Sequence, residues 1–272
     1  MTGTLVDFDT IKKGQRAGWE TGDYPRVGNT LQVMAELLTE AADVRAGQRV
    51  LDVACGQGNA AIAAARRFAD VTGVDYATSL LAQGRERAAA EHLEVTFTDG
   101  DAERLPLPDG AFDTALSTVG VMFAPDHQRA AGELVRVTRP GGTIALASWT
   151  PAGMVGHLFK TVGKWAPPPA GVEPPVLWGT EDHLIGLFGD RVRWTSLVCR
   201  DYVFRYHSPE HFSQWFRSYY GPITRVAGTL TGAELDAFAA GLADVARQFN
   251  RASDGTVVAP SQYLEAVGVR RG

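Results

Sequence analysis

The stretch Val50–Arg67, VLDVACGQGNAAIAAARR, decides the fold. An apolar run ends in a Gly-Gln-Gly turn, and an Ala-rich helical pattern follows at once. This is how a parallel strand hands over to a helix in an α/β nucleotide-binding unit.

Working outward, the same alternation repeats. RVLDVA (49–54) reads as a strand and 60–68 as a helix; VTGVDY (71–76) reads as a strand, and 79–90 as a helix capped by Thr78. EVTFT (94–98) and FDTALSTVG (112–120) are strands on either side of the turn-rich LPLPDG. Asp126 caps a helix to Val137, Pro140-Gly141-Gly142 turns the chain, and TIALASW (143–149) closes the series. Strands separated by 10–15-residue helices predict a parallel, doubly wound sheet. Upstream, NTLQVMAELLTEAAD (29–43) places Leu31, Met34, Leu37, Leu38 and Ala41 on one helical face.

Beyond Trp149 the character changes. Pro167-Pro168-Pro169 and Pro174-Pro175 bracket an irregular segment before a short helix ended by Gly189. WTSLVCRDYVFRY (194–206) is β-rich, with Tyr202, Phe204 and Tyr206 at alternating positions. A helix over 208–220 has a Ser N-cap and Pro in its first turn, and a second opens with Thr231 and Glu234 at capping-box spacing. YLEAVGVRR (263–271) is a final strand. The chain thus divides into N-terminal helices that form a lid (1–44), a cofactor-binding α/β core (45–150), and a remainder (151–272). That remainder adds sheet strands and a helical substrate cap over 150–190 and 208–250, the latter inserted between the last two strands.

Bulk properties exclude several functions. At 272 residues with 45% apolar and 21% charged residues, the chain is expected to build one large domain, or one domain with a substantial insertion, with a full core. A net charge of −5 argues against nucleic acid as a partner. No apolar run approaches a membrane span, and the N-terminus does not resemble a signal peptide, so a cytoplasmic location is expected. Two cysteines, Cys55 and Cys199, rule out a disulfide framework and a Cys-built zinc site, and no metal is expected.

Three ligands compete for the glycine turn. A Walker phosphate loop needs a Lys and a Ser/Thr, and ACGQGNAA has neither. Read as Gly56-x-Gly58-x-x-Ala61 with Asp75 17 residues past Gly58, the spacing matches a dinucleotide fingerprint and would suit an NAD-dependent oxidoreductase. Against that, Asp52 lies inside the strand, where a carboxylate suits an ammonium group and opposes a pyrophosphate. S-adenosylmethionine carries an ammonium, a carboxylate and a sulfonium but no phosphate. Gly56 and Gly58 would admit its methionine moiety, Asp75 its ribose hydroxyls, and Gly100-Asp101-Ala102-Glu103 its adenine. These acids fall at successive strand ends, on the carboxyl edge where open α/β sheets bind ligands.

LDVACGQGN, VTGVDY, GDAERLPLPDGAFD and ELVRVTRPGG together resemble class I S-adenosylmethionine-dependent methyltransferases. The resemblance spans roughly residues 45–150 and points to the ubiquinone/menaquinone C-methyltransferase branch and related small-molecule enzymes. It implies a Rossmann-like, seven-stranded, mostly parallel sheet. It also implies a cofactor site from Asp52, Ala54, Cys55, Gly56, Gly58 and Asn59 at the turn, Asp75 and Tyr76 at the second strand, and Asp101, Ala102 and Glu103 at the third. Ser117 matches the position lining the cofactor's reactive side, and Arg139-Pro140-Gly141-Gly142 reads as a structural turn.

For the acceptor, missing motifs narrow the field. The fourth strand leads into Ser117-Thr118-Val119-Gly120-Val121 rather than a polar-Pro-Pro-aromatic motif, and neither cysteine follows a proline. No paired-Glu loop of the protein arginine methyltransferases is apparent. A small molecule is the expected acceptor, methylated on O, N or C by in-line displacement in a closed pocket; a cofactor-fold protein without catalysis is the non-enzymatic alternative. Candidate bases are His157, just past the fifth strand, and Tyr219 and Tyr220 at a helix end before Gly221-Pro222. Trp149, Trp178 and Trp215 are candidates for an aromatic wall, and Trp19 and Tyr24 for a lid over the cofactor. His127 and His183 read as surface or capping residues, as do His207 and His211, and His92 as an exposed helix end.

Overall fold

A computed structural model describes residues 6–272, so the first five residues of the expected lid lie outside the described residues. Seven strands form one sheet: β1 (Arg49–Val53), β2 (Asp70–Asp75), β3 (Thr96–Asp99), β4 (Phe112–Thr118), β5 (Thr138–Trp149), β6 (Val192–Tyr206) and β7 (Val257–Arg270). Their order is β3-β2-β1-β4-β5-β7-β6. The first five run parallel, and β7 pairs antiparallel with both β5 and β6. The expected seven-stranded, mostly parallel, doubly wound sheet is therefore the observed one.

Helices cover both faces. α1 (Phe8–Trp19), α2 (Tyr24–Gly28) and α3 (Gln32–Ala41) precede the sheet; α4 (Asn59–Ala65), α5 (Thr78–Ala90) and α6 (His127–Val137) join the parallel strands. After β5 come α7 (Met154–Gly163) and α8 (Glu181–Phe188), and between β6 and β7 lie α9 (Pro209–Tyr219), α10 (Gly221–Ala227) and α11 (Gly232–Phe249). α4 explains its own Ala-rich sequence. Every residue from Ala60 to Ala65 is buried, and side chains of one carbon let the helix lie close between the sheet and α3.

Strand order reverses between β1 and β4. β2 and β3 continue to one side of β1, while β4 and β5 extend to the other, and the connecting helices diverge there. In open α/β sheets this divergence leaves a crevice at the carboxyl ends of the strands. Parallel register (Asp52 beside Gly73 and Leu116, Asp75 beside Asp99) brings the strand-end acids to that single rim.

Some local expectations change. Leu37 is 45% exposed and Ala41 is exposed, whereas Ala35, Thr39 and Ala42 are buried, because a 3-10 turn at Asn29–Leu31 rotates the start of the helical face. Ala77, not Thr78, is the N-cap of α5, and it offers no side-chain cap. Thr231 makes no side-chain cap for α11, since Gly232, in a left-handed conformation (φ 52°), sets the chain's approach to the helix. Asp126 and Ser208 do cap α6 and α9, accepting from the backbone N–H groups of Arg129 and His211.

Candidate active site

A cleft of about 60 Å³ opens at the crevice. Its floor is Ala54 and Gly56 after β1, Asp75 and Tyr76 at the end of β2, Gly100–Ala102 after β3, and Val119–Val121 after β4. Its roof comes from Lys12 and Trp19 of α1 and Tyr24 of α2, with Leu80 and Phe123 at the sides. The rings of Trp19 and Tyr24 meet edge to face at 5.6 Å, and Trp19 meets Phe123 at 4.9 Å. Trp19 and Tyr24 thus line the cleft above the strand ends.

Backbone amides hold the floor acids. Asp75 accepts from Gly56 N–H (2.8 Å) through one carboxylate oxygen and from Ala77 N–H (2.7 Å) through the other. Each oxygen keeps a further lone pair. Asp52 is completely enclosed and accepts from Ala61 N–H (2.9 Å) in the first turn of α4. Burial pushes Asp52 up to about 7, and the Asp75 carboxylate adds to this; burial likewise raises Asp75. Two carboxyls made harder to ionise by their surroundings form an electrostatic site that a cationic ligand would relieve.

The two glycines of the turn have different reasons. At Gly56 (φ 54°) a Cβ would meet nothing closer than Tyr24 at 3.7 Å, so the space above it belongs to the cleft. At Gly58 (φ 83°) a Cβ would strike the Phe97 ring at 2.7 Å, so this glycine serves close packing beneath the turn.

Ala54 and Val119 both take left-handed backbone conformations (φ 52° each) at the ends of β1 and β4, facing the cleft. For a β-branched residue such as Val119 that geometry is strained, by about 1–3 kcal/mol. Ser117 maintains it: its hydroxyl donates to Val53 C=O (2.7 Å) and accepts from Val121 N–H (2.8 Å), tying the two strand ends together. Fully buried in that role, Ser117 does not line the cleft. At Gly120 a Cβ would lie 2.3 Å from Ala54 C=O, so the strand ends approach as closely as backbone allows.

The roof is held by charge. Lys12 Nζ donates to Asp101 (2.7 Å) and to Glu103 (2.8 Å), and Glu103 also accepts from Asp126 N–H (2.8 Å). Burial opposes the charge on Lys12, but its hydrogen bonds to the two carboxylates outweigh that and raise its pKa. Burial raises Glu103 despite Lys12.

Of the residues expected to hold a cofactor, Ala54, Gly56, Asp75, Tyr76, Asp101 and Ala102 line the cleft. Asp52, Cys55, Gly58, Asn59, Glu103 and Ser117 stand behind it. Cys55 is buried, which raises its thiol well above the ordinary value. Asn59 donates to Gly28 C=O (2.8 Å) and accepts from Arg87 (2.8 Å), bracing α2 against α4.

None of the three expected bases reaches the cleft. His157 sits on α7 with its ring edge-on to Phe249 at 5.0 Å. Tyr219 lies under the Arg26 guanidinium, 4.8 Å from its ring centre. Tyr220 is buried behind Trp19 at 5.5 Å, and burial raises its phenol far above the usual range. The expected wall of Trp149, Trp178 and Trp215 is core instead: Trp149 packs among Tyr202, Phe204 and Tyr263, Trp178 against Phe188, and Trp215 against Tyr219. His127, expected at the surface, is buried, and burial beside His183 lowers its imidazole to about 4. His92 and His207 are exposed as expected. Lys12, Leu80, Val119 and Phe123 carried no signal in the sequence, because their partners at the cleft come from distant segments, 89 residues away for Lys12 and Asp101.

Comparison with known proteins agrees with this geometry. The family model described as a methyltransferase domain matches residues 50–142. An uncharacterized protein of Mycobacterium tuberculosis is 43% identical over 214 residues, 76% of this chain and 77% of that protein. Demethylmenaquinone methyltransferase of Thermus thermophilus is 41% identical over 153 residues, covering 50% of this chain and 70% of the enzyme. This chain belongs to the class I S-adenosylmethionine-dependent methyltransferases. The fold match extends past the family domain: the YcgJ protein of Bacillus subtilis superposes with a TM-score of 0.61 at 20% identity, over 90% of this methyltransferase and 99% of that chain. Among the described residues, no helix of the methyltransferase is long and apolar enough to cross a membrane.

Proposed function

We propose that this methyltransferase binds S-adenosylmethionine along the floor of the cleft and methylates a small organic acceptor beneath the aromatic roof. The observation that carries the reading is the pairing of Asp75 with the open space over Gly56. A carboxylate with free lone pairs suits two vicinal hydroxyls, and a turn without a Cβ beside it admits a main chain of amino-acid type. Tyr76 and the Gly100–Ala102 backbone would flank the adenine, and Asp101 would accept from its amino group once Lys12 lets go.

When bound, the cofactor supplies an electrophilic methyl group on a sulfonium. The protein's part is to align, enclose and exclude water. Val119, Val121, Trp19 and Phe123 form an apolar surround in which a nucleophile has no competing hydration. Alignment alone contributes as much as about 7–11 kcal/mol in such displacements. Among the described residues lining the cleft there is neither His nor Cys, and burial holds the Tyr24 phenol protonated by pushing it up to about 12. An acceptor that arrives with its nucleophile ready, such as an ionised phenol, an enolate-type carbon or an unprotonated amine, needs no base, and for any other the cleft offers only the carboxylates of Asp75 and Asp101.

The cleft's 60 Å³ is far below the roughly 300–1,000 Å³ of an ordinary ligand pocket, so α1 and α2 must move to admit an adenosyl group. Calorimetry with S-adenosylmethionine and S-adenosylhomocysteine tests the proposal. Saturable binding of both, weakened about 100-fold by Asp75→Ala, is the expected result; no saturable binding of either by the parent protein would remove it.

A further inference from the structure

Away from the cleft, three side chains from separate segments converge on one point. His127 opens α6, His183 lies on α8, and Glu173 belongs to the proline-rich segment between α7 and α8. His127 Nδ1 stands 3.0 Å from His183 Nε2 and 3.4 Å from Glu173 Oε2, and all three ligand atoms fall within 4.8 Å of one another. None of the three lines the cleft.

We propose that His127, His183 and Glu173 bind a divalent cation of the zinc class, which clasps the proline-rich segment to α6 and α8. Ligands at about 2.0–2.1 Å from a tetrahedral ion lie about 3.3 Å from each other, close to the two separations that involve Nδ1. One proton between the two imidazoles satisfies that pair and leaves the carboxylate oxygen, 3.4 Å from Nδ1, to solvent, so nothing within the protein draws the carboxylate to this point. A cation satisfies three converging lone pairs at once. Two imidazoles and one carboxylate match the donor preference of zinc, and they leave a fourth position for water.

The surroundings suit a fixed ligand. The His127 side chain is 1% exposed and its ring meets Trp178 edge to face at 5.5 Å, so its nitrogen is aimed by packing. Glu173, 55% exposed, lies beside water and gives the ion a route of approach. Sequence reading expects no metal here, because the two histidines are 56 residues apart and no short motif joins them.

The test uses tag-free full-length protein dialysed against a chelator and titrated with Co²⁺ and Zn²⁺. Saturable 1:1 binding, visible absorption of four-coordinate Co²⁺, and zinc-dependent thermal stabilisation are expected. His183→Ala and Glu173→Gln alter half-buried or exposed positions that the fold tolerates. Each should weaken binding by at least about tenfold, since loss of mere supporting groups already costs about 10–100-fold. Cofactor binding should be unchanged in both variants, which separates this result from the fate of the cleft assignment. Absence of saturable binding would overturn the proposal, leaving a shared proton between the imidazoles as the explanation. Binding that is unaltered in both variants overturns it equally, since the ion would then lie elsewhere.

Discussion

Two pairs of acids around the cleft are held differently. On the floor, Asp52 and Asp75 are bound by backbone amides of Ala61, Gly56 and Ala77, whose positions follow from the sheet and the helices it carries. Asp101, after β3, and Glu103 behind it also accept from backbone amides, those of Glu103 and Asp126, but both depend besides on one long side chain of the roof, Lys12, from an element outside the sheet. An amide donor cannot leave without unfolding its turn, whereas an ammonium on a flexible stem can exchange its carboxylate for water. The floor is thus prebuilt and the roof replaceable, which is what a site must combine if it is to recognise a cofactor and still release it.

The largest expected effect tests how rigid the floor is. Asp52 is raised from its ordinary value to about 7 in the folded protein, so the native state keeps a proton that the unfolded chain loses near pH 4. The associated stability is present below pH 4 and is lost as pH rises through 7. Asp52→Asn removes this dependence, and at pH 8 it should be more stable than the parent by as much as about 4 kcal/mol, at 1.36 kcal/mol per pKa unit. Urea unfolding at pH 4 and pH 8 measures it; an equal difference at both values would show that Asp52 is not the titrating group.

Asp75→Ala removes the floor acid that faces the cleft. Affinity for S-adenosylmethionine should drop about 100-fold, as expected for hydrogen bonds to a charged acceptor. A loss under threefold in calorimetry would move the ribose assignment elsewhere. Next in size, Ser117→Ala unties the ends of β1 and β4 and should cost about 1.5 kcal/mol of stability. If the strained Val119 matters to the site, kcat falls with it while the cofactor's Kd hardly changes; a stable variant with full turnover would refute the link.

The smallest effect on cofactor affinity concerns the roof. Lys12→Met leaves Glu103 buried without its cation, which should cost about 3 kcal/mol of stability, while cofactor association becomes faster because no ion pair must break first. Stopped-flow fluorescence of Trp19, which lines the cleft, reads the rate. A slower rate than the parent's would mean that Lys12 attracts the cofactor rather than barring it.

Legibility in the sequence follows the same division. Elements built from local patterns were readable: the strand-turn-helix of 49–65, the Asp126 and Ser208 caps, and the acids at strand ends. Each depends on residues within a turn of one another. Placements that no local pattern conveys are those where a side chain answers to a distant partner. Gly58 serves Phe97, Asn59 serves Arg87 and Gly28, and Trp149, Trp178 and Trp215 pack into the core rather than against the cleft. His157 faces Phe249 of α11, which no spacing around His157 could indicate.

By itself, then, the sequence determined the alternating strands and helices, the glycine turn and the identity of the rim acids, because hydrophobic period and turn chemistry act over a few residues. Only the tertiary structure decided which of those acids face the cleft and which lie beneath it. It also decided that Lys12 and two aromatic rings from the N-terminal helices cover them. The physical reason is that facing and covering depend on packing between segments far apart in the chain, where volume and partner, rather than local pattern, select the side chain.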